Sequence, residues 1–269
     1  MIQVFTPEDI SKLSQLQPPD WRDVRPVFRQ FISQPWFYPY KIEQEGKLLA
    51  VGEGILHGSS AWIGNVIVAP QHRRQGLGMK VTRFLRDRLE EKGARSQFLL
   101  ATEMGKGLYE KLGFRTESRQ IFFELPDTFS QKEGTRHESI KDMEPRDLPD
   151  VIRLDTEVTG EHRGHLIQDF WKGGKIIRSG EGALSAFYLP GLGEGLVLAR
   201  NHSDGMRMLQ FRLQEGPPVL VVPEQQQQLI DWMRGQGFQS FRVAYRMVYG
   251  ESILWKPESV FSRIGGYLG

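Results

Sequence analysis

The chain has 269 residues, 39% hydrophobic and 25% charged, with no cysteine. It is long enough for one large or two small cored domains, and disulfide scaffolds, thiol nucleophiles and cysteine-held metals are excluded. Thirty-five Lys/Arg against 33 Asp/Glu leave a charge of +2, too balanced to suggest nucleic acid.

In chain order, a short strand is expected over 2–5, with helices over 7–16 and 21–33. Three strands follow over 37–43, 48–57 and 61–68, joined at Gly46 and Gly58 by hairpin-type loops. Pro70 ends the third. A helix over 76–92 carries an apolar stripe of Leu77, Val81, Phe84, Leu85 and Leu89, and Gly93 closes it. A strand over 96–101, a helix over 106–112 and a long strand over 114–125 complete the first half. Residues 127–138 are polar and lack periodicity, which marks a linker. Beyond it the order starts again: a strand over 139–141, helices over 146–158 and 162–171, and strands over 174–178, 183–189 and 195–200. A helix over 204–214, a strand over 218–222, a helix over 224–234 and a strand over 238–249 follow. Both halves leave a helix through Gly-Phe into a strand, at Phe114 and at Phe238. The expectation is an α/β chain of two copies of one unit, over 1–126 and 139–269.

No apolar run approaches the roughly 18 residues that cross a bilayer. Glu8 and Asp9 stand where a signal peptide would be basic. The expected setting is cytoplasmic, without a membrane partner. No HExxH motif occurs, and no metal is expected.

The most informative stretch is VIVAPQHRRQGLGM, from Val66 to Met79. A strand ends at a proline, a basic turn follows, and a helix opens on Gly76-x-Gly78. Free amides at a helix start, with the helix dipole, hold an anion. Arg73 and Arg74 add guanidinium groups that fork onto phosphate oxygens. A dinucleotide-binding GxGxxG is not formed, since Val81 stands three residues after Gly78, and no GxxxxGK[ST] loop occurs.

Arg73-x-x-Gly76-x-Gly78 resembles the acyl-CoA pyrophosphate loop of the GNAT superfamily of N-acyltransferases. The downstream run LATEMGKGLYEKLGF, from Leu100 to Phe114, resembles that family's second signature. The resemblance covers about residues 2–125. It implies a splayed pair of parallel strands, each unit being a mostly antiparallel sheet with flanking helices. The pantetheine arm of acetyl-CoA would lie in the splay against Val66, Ile67 and Val68. Arg73, Arg74, Gln75, Gly76, Leu77, Gly78 and Met79 would wrap the pyrophosphate, and Arg83 or Arg86 would reach the 3′-phosphate. Tyr109 matches the residue that protonates the departing thiolate, as a positioned phenol can. Three groups compete for the general base: Glu53 and His57, on one face of their strand by alternation, and Glu103 past the next strand.

The run from Asp155 to Arg163, the Gly-Phe exit at Phe238 and the tail from Trp255 to Gly266 make the second half resemble the degenerate C-terminal domain of tandem bacterial acetyltransferases. The run from Ala199 to Arg207, at the place of the phosphate loop, lacks the glycine pattern and carries Asp204, which repels phosphate. One acyl-CoA site per chain is expected. The resemblance implies an N-acetyltransferase using acetyl-CoA on a primary amine, small or protein-borne, by direct attack, with a homodimer open. The alternative reading is a sensor or scaffold that binds acyl-CoA without turnover.

Overall fold

The computed structural model describes residues 1–18, 21, 23–126, 139–266 and 268. The linker expected over 127–138 lies outside the described residues. The chain divides into two compact units, Met1–Arg115 with Met247–Ser252 and Gly266–Gly269, and Thr116–Arg246 with Ile253–Gly265.

Unit 1 opens with β1 (Ile2–Val4), a 3-10 turn (Pro7–Gln15) and the short α1 (Arg25–Phe31). Pro26 stands in the first turn of α1, which begins at Arg25 where a helix from residue 21 was expected. Strands β2 (Phe37–Gln44), β3 (Lys47–His57) and β4 (Ser60–Val68) form an antiparallel meander, with β1 on the edge of β2. Helix α2 (Leu77–Glu91) crosses one face of it. Its buried residues Val81, Leu85 and Leu89 meet β3 at two glycines. A Cβ on Gly52 would lie 2.7 Å from Val81, and one on Gly54 would lie 2.8 Å from Leu89. Burial of each of the three aliphatic chains contributes about 1.5–3 kcal/mol. Phe84, expected in the stripe, is 36% exposed and meets the Tyr40 ring edge-on. β5 (Ser96–Ala101) runs parallel to β4, and α3 (Glu103–Lys111) follows.

The last strand of each half is exchanged. β6 (Arg115–Glu124) belongs almost wholly to unit 2, where it pairs with β11 (Val219–Pro223). β12 (Gln239–Gly250) sends Met247–Gly250 back into unit 1 beside β5, where the Glu251 amide donates to the Arg95 carbonyl at 3.0 Å. The compact units therefore differ from the sequence halves 1–126 and 139–269, because strand pairing and not chain order gathers their cores.

Unit 2 repeats the plan. β7 (Ile140–Asp142), α4 (Leu148–Thr159) and α5 (Gly164–Phe170) lead to the antiparallel strands β8 (Lys175–Arg178), β9 (Leu184–Leu189) and β10 (Leu196–Ala199). Then come α6 (His202–Glu215), β11, α7 (Gln227–Gly235), β12 and a final strand β13 (Val260–Ser262). Its core gathers Tyr188, Met208, Leu209, Leu220, Met233 and Phe261 among others. The two units open alike. The Thr6 amide donates to the Asp9 carboxylate at 3.0 Å, and the Glu144 amide to that of Asp147 at 2.8 Å, each ahead of a proline-led 3-10 turn. They also end α3 and α7 alike, with Phe114 N–H donating to Tyr109 O and Phe238 N–H to Met233 O, both at 3.0 Å.

Candidate active site

β4 and β5 are hydrogen-bonded neighbours only where they begin. Ser60–Trp62 pair with Ser96–Phe98, while β4 runs on to Val68 and β5 to Ala101. Beyond that point Val66 and Val68 are half-exposed and Ile67 is buried, so the widening gap is lined by alternate residues of β4.

The gap leads to the start of α2. A 3-10 turn (Pro70–His72) turns the chain, and Arg73, Arg74, Gln75 and Gly76 are exposed. Gly76 is the N-cap at φ +78°, with no side chain capping the helix, so its first amides lack both an intrahelical acceptor and a capping oxygen. A left-handed φ favours glycine, and a Cβ at Gly76 would meet nothing within 4 Å, so conformation and not room sets that residue. At Gly78 a Cβ would make ordinary contacts with Leu108 and Val68 at 3.5 and 3.6 Å. Arg73 donates from Nε to the Val68 carbonyl at 3.3 Å. Leu77, Gly78 and Met79 form the half-buried first turn.

Along α2, a cleft of about 360 Å³ is lined by Gly76, Met79, Lys80, Arg83, Phe84 and Asp87 with Ile2. Arg83 faces this cleft. Arg86 turns the other way: it donates to the Leu112 carbonyl at 3.0 Å and lies 4.9 Å over the Tyr249 ring. Arg86 thus closes the C-terminal end of α3, and Arg83 is the one of the two placed near the α2 N-terminus.

Glu53 is completely buried. It sits where β4 bulges: Val51 pairs with Ile67 but Glu53 with Gly64, so Asn65 and Val66 together oppose Gly52. Asn65 takes φ +46° there, a left-handed conformation that asparagine tolerates better than most residues. Its Nδ2 donates to Glu53 Oε1 at 2.7 Å, while Oε2 has no hydrogen-bond partner among the described residues. Burial pushes the Glu53 carboxyl up to about 8, partly offset by the Asn65 hydrogen bond.

His57 shares the Glu53 face but lies four residues on, about 13 Å along the strand at ~3.3 Å per residue. It is buried beside the β3–β4 turn, with Nε2 3.0 Å from the Leu268 carbonyl. Glu103 is exposed in the first turn of α3, next to the N-cap Thr102. The structure therefore sets Glu53 alone of the three beside the bulge. Tyr109 lies in α3, its ring 6.1 Å from that of Phe114, and burial of the phenol pushes its pKa up to about 12. At neutral pH it keeps its proton.

Asn65 was missed in the sequence. The available signal was Gly64 inside an apolar strand, since an isolated glycine there often marks a bulge. Among the described residues no group of three or more His, Asp or Glu could hold a metal, and no helix is long and apolar enough to cross a membrane.

In unit 2 the corresponding slot is closed. β10 pairs with β9 without a break, Leu196–Ala199 against Leu189–Ala186. β13 pairs with β10 on one side, and the Arg263 amide just past it donates to Val221 of β11 at 3.0 Å on the other. Phe261 of β13 fills the space at Gly205, where a Cβ would lie 2.1 Å from its ring. Asn201 caps α6 by accepting from the Asp204 amide at 2.9 Å, and the Asp204 carboxylate bonds Ser185, Asn201 and Arg207. Where a splayed parallel pair was expected, β13 separates β10 from β11.

Residues 36–116 match the family model for an acetyltransferase (GNAT) domain. Over its whole length the chain has the fold of a Pyrococcus horikoshii protein described as an acetyltransferase, with TM-score 0.83, 20% identity and coverage of 100% of this chain and 95% of that one. It is similar to a GCN5-related N-acetyltransferase from Sphaerobacter thermophilus, with TM-score 0.64, 13% identity and coverage of 100% and 98%. It is also similar to a tandem GNAT protein from the clavulanic acid biosynthesis pathway, with TM-score 0.63, 11% identity and coverage of 94% and 99%. No curated protein matches in sequence. Residues 36–116 thus match a GNAT acetyltransferase domain, and the chain as a whole shares its fold with tandem GNAT proteins.

Proposed function

We propose that unit 1 transfers an acetyl group from acetyl-CoA to a primary amine by direct attack in a ternary complex. The observation that carries this reading is the parting of β4 from β5 immediately ahead of an uncapped helix N-terminus. The residues present suit acetyl-CoA. The gap offers β4 backbone at Val66, Ile67 and Val68 to an extended amide-bearing arm. The segment from Arg73 to Met79 offers amides and two exposed guanidinium groups to a pyrophosphate. Lys80 and Arg83 in the adjoining cleft suit a further phosphate.

Glu53 is the base of this reading. Its buried carboxylate accepts a proton from the incoming ammonium, freeing the nitrogen lone pair. The nitrogen attacks the thioester carbonyl, and the tetrahedral intermediate collapses as the carbon–sulfur bond breaks. The departing thiolate takes the Tyr109 proton, and the resulting phenolate recovers one from the amide nitrogen. The sum is an amide, free CoA and one proton released through Glu53. No acyl-enzyme is needed, in keeping with a chain without cysteine.

The test is a thermal melt of wild type and Gly76→Glu with and without acetyl-CoA, followed by thiol release with amine acceptors. At 100 times its dissociation constant a ligand stabilises by about 2.7 kcal/mol. That should raise the melting point by several degrees, at roughly 2–4 °C per kcal/mol. A shift confined to wild type supports the site. Binding without thiol release from any amine would favour a sensor over an enzyme.

A further inference from the structure

We propose that Asn65 is a positioning residue for the transfer: through Nδ2 it holds Glu53 Oε1 and thereby leaves Oε2 as the atom that takes the proton of a primary ammonium ion. This rests on the reading above, in which Glu53 is the base. Three observations support it. At the bulge Glu53 pairs with Gly64, and Asn65, next to Gly64, still reaches Glu53 Oε1 from Nδ2 at 2.7 Å across two strands. Asn65 occupies a left-handed φ that glycine would also adopt, but glycine has no amide to donate. Glu53 Oε2 is buried and lacks a partner, and in a folded protein such an acceptor calls for a donor.

The pairing has a chemical consequence. An amide donor favours the charged carboxylate without neutralising it, whereas a lysine or arginine in its place would hold it ionised at every working pH and weaken it as a base. With only an amide, burial keeps the group poised near neutrality. A cationic amine brought against Glu53 Oε2 supplies the charge that the Asn65 amide does not. The acceptor class that fits is thus an alkylammonium, and a neutral aromatic amine does not supply that charge.

The test uses the whole chain and two variants, Asn65→Gly and Glu53→Gln. Infrared difference spectra taken against pH identify the Glu53 carboxyl band as the one that Glu53→Gln removes. In Asn65→Gly, which keeps the backbone conformation, its midpoint is expected to rise by about one pH unit. In thiol release from acetyl-CoA with n-butylamine, glycinamide and Nα-acetyl-lysine as probe amines, the acidic limb of the kcat/KM profile should move by the same amount. The rate at pH 7 should then fall about tenfold while the KM for acetyl-CoA holds. An unmoved infrared midpoint in folded Asn65→Gly overturns the pairing. A moved midpoint with an unmoved kinetic limb overturns the positioning role and leaves Glu53 as the base. Full turnover in Glu53→Gln, or no turnover of any probe by wild type, overturns the parent reading and the positioning role with it.

Discussion

The two units share a plan and differ at four places, all around one slot. In unit 1 the strand before the helix bulges at Asn65, and the following strand parts from it. The helix starts at a left-handed glycine, and Tyr109 stands five residues before the exit phenylalanine. In unit 2 the β9–β10 ladder is unbroken, β13 occupies the parting with a register shift at Val197/Leu198, and Asn201 caps the helix. Met233, fully buried, stands where Tyr109 does, as the matching Phe238 to Met233 bond shows. At the bulge and at the helix start, unit 2 replaces a costly or unsatisfied feature with a satisfied one. A buried carboxyl, a left-handed asparagine and uncapped amides destabilise unit 1, whereas unit 2 meets the same positions with apolar contacts and its own caps. Functional sites are where such local costs persist.

Removing the chemistry of unit 1 should show the largest effect. Tyr109→Phe is expected to lower kcat by about 10²–10⁴ while the melting shift with acetyl-CoA is retained, since a general acid contributes on that scale. Met233, its counterpart, offers no such handle: Met233→Leu should leave turnover unchanged, read in the same thiol assay.

Glu53→Gln tests the cost of the buried acid. A carboxyl lifted from 4.5 to about 8 binds a proton in the folded state that the unfolded chain has already lost. Stability therefore falls as pH rises from about 4.5 to about 8 and is flat above. The full span corresponds to a contribution on the order of 5 kcal/mol. Urea unfolding at pH 5 and pH 9 should show this decline in wild type and its loss in Glu53→Gln. An equal decline in both would remove Glu53 from the account.

Phe261→Ala tests the filled slot. The ring is fully buried against Gly205, so its loss should cost about 3–5 kcal/mol by urea unfolding. Calorimetry should still count one acetyl-CoA per chain, because the α6 start keeps its own cap and the Asp204 charge. A second binding event would mean that β13 alone had excluded it. The smallest effect is expected from Asn201→Ala, about 1 kcal/mol for the lost cap.

Much of this was legible in the residues. The α2 stripe, the hairpins and the glycine-led turn follow from local pattern, and alternation put Glu53 and His57 together on one face of β3. Alternation could not separate Glu53 from His57, because the Leu268 carbonyl that engages His57 lies 211 residues away in the chain. β13 was invisible as an element: Val260, Phe261 and Ser262 are too few to set a period, and only their partners make them a strand. The exchange of β6 and β12 is equally non-local, since a strand's sequence does not specify which neighbour it will find. The repeat was clearer than the helix exits suggested. Ile2, Pro7 and Asp9 recur as Ile140, Pro145 and Asp147 at one constant offset, a signal that reads directly as the shared capping turn.

The exchanged strand also bears on how this protein is made. Residues up to Arg115 supply most of unit 1, but β5 gains its outer neighbour only from Met247–Ser252. During synthesis at about 5–20 residues per second, the nascent unit waits roughly ten seconds with that strand edge unpaired. On its inner side β5 is joined to β4 only through Ser96–Phe98. An exposed edge of this kind invites pairing with other chains. The yield of this protein in a cell should therefore depend on what shelters that edge on the ribosome more than on the stability of the finished fold.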